Sequence, residues 1–72
     1  MDLIEHTTEE RLGREAAAQR LHMLADELAR QNELSFTRNG MQVKVAVPDE
    51  VVFSLEFEVG DDESEIEIEL KW

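Results

Sequence analysis

From Gly13 to Gln31 the apolar positions recur with a helical period. At about 100° per residue, Ala17, Leu21, Leu24 and Leu28 fall in one arc with Gly13 at its edge, and Arg11, Glu15, His22, Asp26 and Arg30 lie outside it. This predicts an amphipathic helix, small-sided at its N-terminal half and leucine-sided at its C-terminal half. Its start has two readings. Thr7 and Glu10 have the spacing of a capping box, which starts the helix near Thr8 and places Gly13 inside it at a cost of about 1 kcal/mol relative to Ala. The favoured alternative starts the helix at Gly13 with Glu15 in the first turn. It leaves Leu3 to Arg11 extended, as β-branched Ile4, Thr7 and Thr8 prefer.

After the helix the period switches to 2. Leu34 and Phe36 alternate with Ser35 and Thr37, Asn39-Gly40 is a strong hairpin signal, and Met41, Val43, Val45 and Val47 follow. Pairing Arg38 with Met41 sets Phe36 opposite Val43 and Leu34 opposite Val45. Pro48-Asp49-Glu50 reads as the next turn, because proline fixes φ and lacks a donor. Val51, Phe53, Leu55, Phe57 and Val59 then alternate with Ser54, Glu56 and Glu58. After the turn Gly60-Asp61-Asp62-Glu63 the last strand alternates Ile66, Ile68, Leu70 and Trp72 with Glu65, Glu67, Glu69 and Lys71. If Gly60 pairs with Glu63, then Phe57 faces Ile66, Leu55 faces Ile68, Phe53 faces Leu70 and Val51 faces Trp72, so apolar always meets apolar. The expected fold is α+β and two-layered: one amphipathic helix packed on an antiparallel β-meander of four strands, with room for an additional N-terminal strand.

Residues 1–72 are the length of one small domain, which buries only roughly 60% of the surface its unfolded chain exposes. Eighteen acids against 7 bases leave a net charge of −11, which argues against phosphate-driven nucleic-acid binding. The absence of cysteine removes a disulfide scaffold, a Cys-based zinc site and a thiol nucleophile, and makes a reducing cytoplasm the simplest expectation. No apolar run exceeds three residues, so neither a membrane span nor a signal peptide is expected.

The segments Val47-Pro48-Asp49-Glu50-Val51 and Leu55-Glu56-Phe57-Glu58-Val59, the acidic turn, and Glu65-Ile66-Glu67-Ile68-Glu69-Leu70-Lys71-Trp72 together resemble the amphi-Trp domain family. The helix, through Arg14-Glu15-Ala16-Ala17 and Leu24-Ala25-Asp26-Glu27-Leu28, is similar in overall plan. The resemblance implies a fold and supplies no catalytic residues.

The candidate site is the outward face of the last two strands. The register sets Glu56 opposite Glu67, Glu58 opposite Glu65, and Glu69 opposite Ser54, so like charges meet across the ladder, each pair repelling by about 1 kcal/mol in a water-like dielectric. Lys44 and Lys71 offset part of this. One reading is a docking surface for something cationic: a basic protein, a polyamine or a loosely held metal ion. The other, given more weight, is a solvated face that keeps an Ile/Val-rich sheet dispersed, suited to a salty medium. Two strand rows of glutamate carry about half the charge density of duplex DNA, a poor match for nucleic-acid mimicry. No metal site is expected, because the acidic turn lacks EF-hand spacing and His6 and His22 have no ligand partner nearby. No cofactor or catalytic motif is present, so a non-enzyme is expected. Trp72 shares parity with Ile66, Ile68 and Leu70 and is expected to close the core opposite Val51; as an exposed anchor it would serve a partner. The function expected is a small acidic interaction module binding an unidentified cationic or protein partner, with neither nucleic acid nor membrane. The alternative is a homo-oligomer, at its simplest a homodimer, or a salt-adapted protein whose acidity serves solubility.

Overall fold

The computed structural model describes residues 4–72. Helix α1 spans Arg14–Arg30 and is followed by β1 (Glu33–Arg38), β2 (Met41–Ala46), β3 (Val52–Val59) and β4 (Ser64–Lys71). Gly13 caps α1 in an extended conformation, and its carbonyl accepts the Ala17 N–H at 3.0 Å. The helix therefore starts where the glycine-cap reading places it, with Glu15 in the first turn where a carboxylate suits the dipole. No helix forms at Thr8. Residues 4–13 join no strand ladder, so the additional N-terminal strand does not form among the described residues; Leu3 lies outside them. Gln31 ends α1 by turning extended, its N–H still donating to the Glu27 carbonyl.

The β1–β2 register is Leu34↔Val45, Phe36↔Val43 and Arg38↔Met41, as turn chemistry dictates. Asn39 and Gly40 have φ of 51° and 76°, the paired left-handed geometry of a type I′ turn. In β3–β4 the register is Phe53↔Leu70, Leu55↔Ile68 and Phe57↔Ile66, with Val51 and Trp72 one position beyond the ladder. The Gly60 N–H donates to the Glu63 carbonyl at 2.9 Å, and a Cβ at Gly60 would lie 3.0 Å from that oxygen, which favours glycine at this corner.

The elements are those of an α+β domain, with the helix packing on strands. The strands are nevertheless divided between two two-stranded sheets, β1–β2 and β3–β4, and do not continue as one four-stranded meander. The connection from Val47 to Val51 explains the break. A three-residue loop closes a hairpin most readily by ending on a left-handed residue. Among the described non-glycine residues, Asn39 has a positive φ and Glu50 does not. Val47 is instead tied to the other hairpin: its N–H donates to the Asn32 carbonyl at 2.7 Å and its side chain is buried.

The core is small and lies where the C-terminal end of α1 meets β1. Leu34 and Val47 are buried, and Glu27 and Leu28 on α1 are half-buried. Glu27 Oε1 accepts the Ser35 backbone N–H at 2.9 Å, fastening the helix to the strand. The leucine-sided arc does not lie over the last two strands as the periodicity suggests. Helix α1 approaches β1, and among the described residues no other element approaches β3 or β4.

Candidate functional site

Each strand of the β3–β4 hairpin has eight residues with period-2 side chains, so the hairpin has one acidic face and one apolar face. The ladder sets Glu56 opposite Glu67, Glu58 opposite Glu65, and Ser54 opposite Glu69. All five glutamates are exposed. Lys44, assigned above to offset part of this charge, lies on β2 in the other sheet, 3.8 Å from Glu33. The remaining offset is Lys71, at the end of β4.

Crowding among carboxylates shows at Glu67, whose pKa is raised. The largest cause is a side-chain hydrogen bond with Glu65, followed by the Glu65 charge, partial loss of hydration and the Glu69 charge. Alternate residues on one strand lie on one face, so the principal neighbour is along β4. Cross-strand parity alone does not identify that neighbour.

The linkage has a definite sign. A carboxyl whose folded pKa is raised holds its proton more tightly in the folded state, so its contribution to stability is present at low pH and is lost as pH rises through the folded pKa. Glu67→Gln should remove this component, so that melting temperature declines less between about pH 4 and about pH 7 than in the parent. Adding Glu56→Gln should raise the melting temperature at low salt, with the gain shrinking as salt screens the face. Identical pH slopes in parent and Glu67→Gln proteins would show that the carboxylates do not crowd.

The apolar face of the hairpin differs from expectation. Phe57 and Ile66 are 74% and 72% exposed, Leu55 and Ile68 are 60% and 50% exposed, and Trp72 is 58% exposed. Trp72 does not close a core opposite Val51. It borders an open depression with Asp49, Glu50, Val51, Val52 and Lys71. The physical reason is that parity aligns these side chains on one side without supplying a layer to cover them.

Two further features bear on chemistry. Glu58, Glu63 and Glu65 line a small acidic recess at the hairpin tip. Among the described residues no group of histidine, aspartate and glutamate has the arrangement of a metal site. His22 is exposed on α1, and His6 is exposed where the N-terminal segment borders β1–β2. There Ile4, Phe36, Val43 and Val45, with Arg38 and Lys44 at the rim, line an open concavity of about 400 Å³. Sequence reasoning missed it because no local pattern indicates where residues 4–13 lie.

The sequence profile described as the Amphi-Trp domain matches residues 2–72. The chain belongs to the amphi-Trp domain family. Comparison with curated proteins and with solved structures returns no match. The amphi-Trp match therefore identifies the family without assigning a reaction or a ligand. No helix among the described residues of this amphi-Trp chain is long and apolar enough to cross a membrane.

Proposed function

We propose that this amphi-Trp domain is a non-catalytic interaction module whose β3–β4 hairpin presents Glu56, Glu58, Glu65, Glu67 and Glu69 to a cationic surface of a partner protein. The register carrying Glu56 against Glu67 and Glu58 against Glu65 supports this reading most directly. Like charges held opposite one another destabilise a ladder, and a cationic partner relieves that repulsion on binding. The raised pKa of Glu67, caused chiefly by Glu65 on the same strand, is a separate sign that carboxylates crowd this face. The hairpin also stands free of the helix and of β1–β2, leaving its acidic face open along its length. The reading needs no cofactor, and it assigns neither nucleic acid nor membrane as the partner. It places the domain in the cytoplasm, where a chain without cysteine is at no disadvantage.

The test is capture of protein from a cell extract on the immobilised domain at low and high salt, beside a variant with all five glutamates changed to glutamine. A specific protein retained at low salt, released by salt and not retained by the variant is the expected result. Failure to retain any protein, or equal retention by the variant, would overturn the reading. If the variant also precipitated, the alternative would gain, in which the acidity serves solubility.

A further inference from the structure

We infer that the apolar face of β3–β4 is covered by α1 of a second copy of this chain, in a reciprocal dimer where each copy supplies one hairpin and one helix.

The first observation is area. A compact monomer of 8.3 kDa exposes about 4,600 Å² by size scaling, whereas this chain exposes 7254 Å². The excess is about 2,700 Å² per chain, or about 5,400 Å² over two chains, at the upper end of the range of about 2,000–5,000 Å² or more that obligate homodimers remove over both partners. The radius of gyration agrees: it is 14.1 Å, against about 11 Å for a compact domain of this length.

The second observation is that one chain holds two unpartnered apolar faces of matching length. Leu21 and Leu24 on α1 are 52% and 39% exposed, and Leu55 and Ile68 at the centre of the hairpin are comparably open. A helix of 17 residues is about 25 Å long and strands of eight residues about 27 Å. Pairing hairpin with hairpin would leave both helices uncovered, and pairing helix with helix would leave both hairpins uncovered. The exchange of helix for hairpin covers all four faces at once, and a twofold axis makes the two contacts identical.

Charge opposes this exchange less than it opposes hairpin-on-hairpin pairing, because α1 carries no net charge. Residues 51–72 carry eight acids and one base, whereas on α1 Arg14, Arg20 and Arg30 balance Glu15, Asp26 and Glu27. Within one chain, α1 and the β3–β4 hairpin do not contact each other. Val47 is buried and bonded to Asn32 beside the helix end, and Pro48 follows it directly. This contact uses the face opposite the five glutamates, so it stands or falls apart from the cationic-partner reading. Salt should tighten the dimer by screening like charge, whereas it weakens capture through the glutamates.

Light scattering across the micromolar range measures the mass. Isotope-filtered nuclear Overhauser spectra on a mixture of labelled and unlabelled chains locate the contact in the parent protein. A mass twice that of one chain, with intermolecular signals from Leu21 or Leu24 to Leu55 or Ile68, is expected. Leu55→Asp on the hairpin and Leu24→Asp on the helix should each give a folded monomer, because both positions are already exposed in the single chain. A monomer at every concentration would overturn the inference. So would helix-to-hairpin signals confined to one chain, or a dimer that survives either substitution.

Discussion

Leu34→Ala is expected to lower stability by about 2–5 kcal/mol, out of a total of about 4–11 kcal/mol for a chain of this length. Leu34 is 7% exposed and Val47 is 6% exposed, and together they form the buried centre to which α1, β1 and the Val47–Val51 link are attached. Removing the isobutyl group leaves a cavity beneath the helix end. The Ser35 N–H held by Glu27 lies next to it in sequence, so strand and helix are loosened together. Urea unfolding followed by far-ultraviolet circular dichroism, at fixed protein concentration, gives the difference directly. A loss below about 1 kcal/mol would mean that Leu34 is not enclosed.

The second large effect is expected at Gly40. Its φ of 76° lies in the left-handed region, and a Cβ placed there meets no atom within 4 Å. The cost of a side chain is therefore conformational and not steric crowding by neighbours, about 1–2 kcal/mol for an L-residue and toward the upper end for a β-branched one. Gly40→Val should shift the unfolding midpoint accordingly, whereas Gly40→Asn should retain more of the stability, since asparagine tolerates this region better. Equal loss from the two substitutions would show that the turn is not held in the type I′ geometry. Because this turn sets Arg38 against Met41, Gly40→Val should also weaken hydrogen-exchange protection along β1–β2 and leave β3–β4 protected.

Both predictions act on the half of the molecule that has a core. The other half, β3–β4, has a regular ladder and no cover among the described residues, so its outward chemistry follows from strand parity. The five glutamates share a face because they occupy alternate positions. Glu67 is perturbed chiefly by Glu65 because residues two apart on a strand are neighbours, a relation the cross-strand register does not emphasise. The acidic face was therefore legible residue by residue. The concavity bordered by Ile4 and His6 was not, since it depends on where an irregular segment lies against a distant hairpin.

The sequence by itself determined what is local. For the start of α1 the pattern left two readings, near Thr8 or at Gly13, and the structure decided for Gly13 as the cap. Asn39-Gly40 imposes the β1–β2 register because two adjacent left-handed residues admit one tight hairpin, and alternation sets every partner in β3–β4 because a one-residue slip would exchange its two faces. Tertiary structure alone decided which surfaces meet. Burial is non-directional, and an apolar stripe of leucines fits any apolar sheet face of similar length. Periodicity could require that the leucine arc and the Phe, Ile and Trp side chains be covered, but it could not say by what. The pinning of Val47 to Asn32 and the lack of a left-handed residue at position 50 sent β3–β4 away from β1–β2. That left α1 resting on β1, with the second apolar face free.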